Sequence, residues 1–167
     1  MGDPTEEASL RPGEVLLALD VGEARIGVAR AEVGPDFAFG RGALRRTKQA
    51  EDVRRVADLV AAEGAQRLII GLPRRTDGRD SKQTQRVRAF ARALHEVGLR
   101  VEFEDERFTT ALAERDLVAG GLPLGKRRDK GRVDEASAIA ILETRLRRAA
   151  EARANRSGAD DPGGATP

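Results

Sequence analysis

Three carboxylate positions fall where the chain changes direction. Asp20 closes the apolar run "VLLALD" (15–20), with Gly22 two residues on. Asp105 and Glu106 lie within "EDER" (104–107), and Asp134 opens the apolar stretch "DEASAIAIL" (134–142). Like charges gathered in a low-dielectric crevice repel, so something positive has to hold them together. A hard divalent cation is suited to this, because Mg²⁺ and Mn²⁺ take carboxylate oxygens and keep waters or phosphate oxygens in their remaining positions. Two such ions about 4 Å apart activate a water and stabilise the leaving oxygen of a phosphodiester. The single His95, within a helical stretch beside Glu96, is a poor candidate for a metal triad.

Each residue has a plainer reading. Asp20 before Val21-Gly22 is a turn former, and Asp134 before an apolar helix is a good N-cap. Glu106 beside Arg107 is half of a surface ion pair, and such pairs matter little. "GLP" and "TDG" between residues 71 and 78 are turn chemistry, and Thr109 and Thr110 cap a helix. Taken singly, these readings hold. Three acids at element termini outweigh them only if the fold brings those termini together, so the elements decide.

"EVLLALD" reads as a buried strand by length, flanks and branched content. "RIGVARAE" and "DFAFGRGAL", each bounded by Gly or Pro, follow as an antiparallel meander. The period then changes. In "AEDVRRVADLVAAEG" the residues Val53, Val56, Ala57 and Val60 share one helical face, and Gly64 stops the helix. "RLIIGLP" is a strand ended by Pro73. "SKQTQRVRAFARALHEVG" repeats the helical pattern through Val87, Phe90, Ala91 and Leu94. "RVEFEDE" is a fifth strand and "TTALAERDLVAG" a helix. The last helix starts at Asp134, with Ile139, Leu142 and Leu146 on one stripe. Three antiparallel strands followed by βα units predict an α/β fold, ribonuclease-H-like, with a mixed five-stranded sheet and helices on both faces. If its first and fifth strands lie close, Asp20 and Glu106 approach each other at the strand ends, where sites of such sheets collect.

The 167 residues make one domain, expected over 13–154, with a disordered polar N-terminus (1–12) and a disordered Gly/Pro-rich tail (155–167). Hydrophobic residues are 40% and charged residues 35%, with no cysteine, which excludes disulfides and thiolate metal sites. No signal-peptide pattern or apolar run of membrane-spanning length is visible, so a cytoplasmic location is expected. A net charge of +2 does not by itself demand a nucleic-acid partner. Its distribution says more: "GKRRDKGR" (125–132) sets five basic residues against one acid. With no Trp or Tyr and five Phe, a base-stacking platform is not expected, so nucleic acid would be held through its phosphates.

Four blocks in order, "LALDVGEARIGVA", "LIIGLPRRTDG", "VEFEDERFTT" and "GRVDEASAIAILETRL", resemble the YqgF/RuvX family over about residues 14–148. The resemblance implies a ribonuclease-H-like, Holliday-junction-resolvase-like nuclease, a family also assigned to trimming the 5′ end of pre-16S ribosomal RNA. It implies metal ligands and catalytic residues at Asp20, Glu106 and Asp134, with Mg²⁺ or Mn²⁺, two ions expected. Asp105 and Gly22 would support them, since neighbouring residues of a strand point to opposite faces. Arg74, Arg75, Arg107, Lys126, Arg127, Arg128, Lys130 and Arg132 would contact the phosphates of pre-rRNA or branched DNA. Two departures are Glu23 in the "DVG" turn, which adds a fourth charge near the site, and Glu135 directly after Asp134. A two-fold junction would favour a homodimer, although no seam announces one.

Two rivals stand beside this reading. Actin-like sugar kinases and chaperone ATPases share the strand-Asp-Gly-hairpin opening but need two lobes, and ATP turnover would reveal them. A catalytically silent RNA- or protein-binding factor for ribosome assembly or transcription would keep the fold without the chemistry. The retained acids speak against it.

Overall fold

The computed structural model describes residues 9–35, 37–75, 77–106 and 130–158. The elements run β1 (Val15–Val21), β2 (Arg25–Glu32), β3 (Phe37–Arg45), α1 (Gln49–Glu63), β4 (Arg67–Leu72), α2 (Lys82–Glu96), β5 (Val101–Asp105) and α3 (Lys130–Gly158). The five strands form one sheet in the order β3-β2-β1-β4-β5. The β1–β2 and β2–β3 pairs are antiparallel, whereas β1–β4 and β4–β5 are parallel.

Alternation along the strands decides which helix covers which face. Leu17, Leu19 and Val21 of β1, with Leu68, Ile70 and Leu72 of β4, pack on Val53 and Val56 of α1 and on Val87, Phe90 and Leu94 of α2. Leu16 and Ala18 of β1, with Ile69 of β4, pack on Ala138, Ile141, Leu142 and Leu146 of α3. β1 and β4 are thus covered on both faces, which is why they read as nearly unbroken apolar runs. Gly64 ends α1 in the left-handed region at φ 64°, and Ser81 Oγ caps α2 by accepting from the Thr84 amide at 3.1 Å.

The edge strand β5 differs. Glu102 and Glu104 point to the α3 face, where Arg145 pairs with both and Arg148 reaches Glu104 at 2.5 Å. Arg67 extends this network to Glu102 at 3.2 Å and Glu14 at 2.5 Å. Burying such charges brings little net stability, but removing one partner strands the other at a cost of about 3–5 kcal/mol.

The first and fifth strands come close with β4 between them. Three expectations are corrected. The last helix begins at Lys130, not Asp134, because Gly131 does not stop a run otherwise rich in helix formers. The same Arg- and Ala-rich composition carries it past Asn155 to Gly158, into the stretch expected to be a tail. At the other end, Leu10 is buried in the α3-side core, and the Arg11 amide donates to Glu14 Oε2 at 3.0 Å, so packing starts before residue 13. The helix expected at "TTALAERDLVAG" lies outside the described residues. No described helix is long and apolar enough to cross a membrane.

Candidate active site

Asp20 shares the parity of Leu16 and Ala18 on β1, so its side chain stands on the α3 face of the sheet, at the strand's C-terminal end. By the same alternation Glu106, just past β5, follows Glu102 and Glu104 onto that face, and Asp105 falls on the other. β4 stands between Asp20 and Glu106. Gly71 occupies the level where a side chain would block them: a Cβ there would overlap Glu106 Oε1 and come within 2.6 Å of Ile141 Cδ1. Glu106 reaches Asp20 across this bare glycine, and the two carboxyls are hydrogen-bonded.

Two carboxyls bond to each other only through a shared proton. Burial pushes Asp20 up to about 6, and the charge of Asp134 adds to the rise, against hydrogen bonds from Glu106 and Ser137. Burial pushes Glu106 up to about 7, helped by the charges of Asp20 and Asp105. The pair therefore shares a proton near neutral pH, and the Ser137 hydroxyl donates to Asp20 from α3.

Asp134 sits one turn inside α3, so it is not the cap of that helix. Gly27 of β2 lets α3 lie flat on the sheet here, since a Cβ at Gly27 would overlap the Asp134 carbonyl. A Cβ at Gly40 of β3 would overlap the Glu135 carboxylate. Glu135 thus lies over β3, two strands from β1, while Asp134 acts on Asp20. Among the described residues, no group of three acids or histidines is assembled as a ready-made metal cage.

The hairpin that carries Asp20 is braced from behind. The Gly22 amide donates to the Arg25 carbonyl at 2.8 Å, and a Cβ at Gly22 would stand 2.9 Å from that same oxygen. Arg46 Nη1 donates to the Gly22 carbonyl at 3.2 Å, and Gln83 Nε2 to the Val21 carbonyl at 2.6 Å. Glu23 pairs with Arg86 of α2 instead of joining the acids.

The basic residues divide. Arg74 and Arg75 are exposed after β4, and Arg75 pairs with Asp77 at 3.1 Å. Arg132 is exposed on the first turn of α3. Lys130 is that helix's first residue. Arg107, Lys126, Arg127 and Arg128 lie outside the described residues.

Sequence reasoning missed Gly71, Gly27, Gly40 and Ser137. Ser137 carried a usable signal, since it lies at i+3 from Asp134 and so on the same helical face. Gly71 in "IIGLP" reads locally as turn chemistry. A glycine interrupting an apolar strand also marks a close approach by another group.

The chain is 48% identical over 131 residues to a Thermus thermophilus protein provisionally named pre-16S rRNA nuclease, covering 78% of this chain and 96% of that one. It is 44% identical over 133 residues to ribonuclease YqgF of Deinococcus radiodurans, covering 80% and 88%. Among solved structures, the yeast mitochondrial Holliday junction resolvase superposes with a TM-score of 0.63 at 13% identity, covering 90% of this chain and 85% of that one. That likeness is one of fold, and the fold is ribonuclease-H-like. The RuvX family, described as Holliday junction resolvase, matches residues 14–148, and the chain belongs to it.

Proposed function

We propose that this protein is a divalent-metal-dependent nuclease that hydrolyses phosphodiester bonds in structured nucleic acid, with the 5′ end of precursor 16S rRNA as its substrate. The observation that carries the reading is the Asp20–Glu106 pair, two half-buried carboxyls that meet over Gly71, with Asp134 adding a third negative charge. A cation would displace the shared proton and balance the charge that both carboxyls then carry. The donor set is all oxygen, which fits Mg²⁺ or Mn²⁺. Asp20, Glu106 and Asp134 would hold two such ions, which when bound supply an activated water and neutralise charge on the departing oxygen.

The chain's own residues do the rest. Ser137 fixes the Asp20 carboxylate by donating to it. Gly22 and its braces hold the strand end that presents Asp20. Arg74, Arg75, Arg107, Lys126, Arg127, Arg128, Lys130 and Arg132 would draw the phosphate backbone to this end of the sheet. The RNA substrate is favoured because the relatives above 40% identity are named for RNA, whereas the resolvase likeness, at 13% identity, is one of fold. Cutting a two-fold junction would also require two copies of the chain, and trimming an RNA end would not.

The test is cleavage of a precursor-rRNA 5′ leader and of a four-way DNA junction by wild type and Asp20→Asn, with Mg²⁺, with Mn²⁺ and with chelator. RNA cleavage that needs the metal and is lost in the variant is expected. Full cleavage by the variant or in excess chelator refutes the metal mechanism, and junction cleavage without RNA cleavage refutes the substrate.

A further inference from the structure

Two arginines stand on the acidic face of the sheet, just past the row of Asp20. Across β1, β2 and β3 that row reads Asp20, Gly27 and Ala43. Two residues nearer the sheet's end, Arg25 of β2 pairs in register with Arg45 of β3. Alternation gives Arg25 the face of Gly27 and Ala29, and gives Arg45 opposite it the same one, the face over which α3 and Asp134 lie. Arg45 is exposed and Arg25 half-buried. Among the described residues no carboxylate pairs with either guanidinium. The nearby acids are engaged elsewhere: Glu23 by Arg86, Asp52 by Arg46 and Thr47, and Asp20 by Glu106 and Ser137. The backbone beneath the pair is pinned, since the Arg46 amide donates to the Ala24 carbonyl at 2.9 Å and Arg55 Nη1 to the Arg45 carbonyl at 2.8 Å. Like charges directly opposite on neighbouring strands destabilise a sheet. An anion between them removes that cost.

We infer that Arg25 and Arg45 bind the phosphate backbone of the RNA on the β2–β3 side of the bond that is cut. The inference rests on the nuclease reading above and adds to it which way the substrate leaves the acidic centre. A rise of about 3.4 Å per residue and a strand spacing of about 4.8 Å put the Arg25 and Arg45 Cα atoms about 8 and 12 Å from that of Asp20. At about 3.4 Å per nucleotide along one strand, that is roughly two to four nucleotides. Arg74 and Arg75 follow β4, on the other side of β1. A strand laid across this end of the sheet is then held on both sides of Asp20. Arginine suits the role because its planar fork takes two phosphate oxygens at once. Standing apart from the acids, the pair holds substrate and leaves the chemical step to them.

The experiment compares wild type with Arg25→Gln/Arg45→Gln and with Arg25→Lys/Arg45→Lys, on a precursor-rRNA 5′ leader that spans the cleaved bond. Binding is titrated against salt in chelator, and cleavage is followed with Mg²⁺. Losing two phosphate contacts should lower the log–log salt slope by about 1.4 to 1.8 and weaken binding roughly ten- to a hundredfold at 0.1 M salt. KM should rise while kcat stays within about twofold, because the contact is the same in ground and transition states. The Lys variant should keep the slope, and neither variant should melt below wild type, since no partner is stranded. Leaders with uncharged methylphosphonates placed to one side of the bond or the other locate the contact. Neutralising one side should weaken wild type and leave the Gln variant unmoved, whereas neutralising the other should weaken both. An unchanged slope, a Lys variant that loses as much as the Gln variant, or a Gln variant weakened from both sides overturns the proposal. A fall in kcat with KM unchanged also overturns it and assigns the arginines to the chemical step. Wild type that binds the leader without cutting it refutes the nuclease reading, and the salt slope still decides the pair. Wild type that binds no leader refutes both.

Discussion

Replacing Asp20 by Asn should make the metal-free protein more stable. The folded chain raises the Asp20 carboxyl from 3.8 to about 6, through burial first and the Asp134 charge second. A carboxyl raised in the native state binds more protons folded than unfolded, so its contribution to stability falls as pH climbs from about 4 to about 6. Above that window the full penalty applies. Each tenfold change in proton affinity is worth about 1.4 kcal/mol, so keeping Asp20 charged in the fold costs about 3 kcal/mol at pH 8. At pH 4 the cost is under about 1 kcal/mol, because most of the native population is protonated. Asn keeps the volume and an oxygen to accept from Ser137 and Glu106, and it removes the charge. In chelator at pH 8, Asp20→Asn should therefore melt roughly 5–10 °C above wild type, and the gap should nearly close at pH 4. Thermal unfolding at the two pH values measures it, with a third arm in Mg²⁺ or Mn²⁺ that should raise wild type and leave the variant unmoved. A variant less stable than wild type at pH 8, or a gap that ignores pH, refutes the account of Asp20 as a buried charge kept for a cation.

Gly71→Ala should abolish cleavage by pushing Glu106 off Asp20, and should destabilise by about 1–3 kcal/mol through the clash with Ile141; activity and urea unfolding check both halves. Asp134→Asn should leave the melting temperature of the metal-bound protein lower and that of the metal-free protein unharmed, since the residue lies inside α3 and caps nothing, while turnover disappears. Arg145→Ala should cost less than the about 3–5 kcal/mol of a fully stranded charge, because Arg67 still reaches Glu102 and Arg148 still reaches Glu104, and the denaturant midpoint reads it. Replacing Lys126, Arg127 and Arg128 by Ala should reduce the salt slope of binding by about 0.9 per lost duplex phosphate contact, on short and long substrates alike.

The five strands, the two middle helices and the opposite parity of Asp105 and Glu106 are legible in the sequence. Strand alternation set Asp105 and Glu106 on opposite faces, the family resemblance pointed to Glu106, and Gly64 marked a helix end because stop signals act through neighbouring residues. The four motif blocks carried the family. Tertiary structure decided how the acids meet. β4 intervenes between their strands, so the meeting depends on Gly71, and a glycine's value as empty space exists only once another strand and helix close over it. The same holds for Gly27 and Gly40, which let α3 lie against the sheet and send Glu135 over β3 while Asp134 acts on Asp20. Asp134 resembles a cap when its helix is read from the apolar stripe, yet a helix extends as far as its propensity and packing allow, here back to Lys130. Periodicity is written in residues three or four apart. Proximity across a sheet is set by strand order, and no local pattern records it.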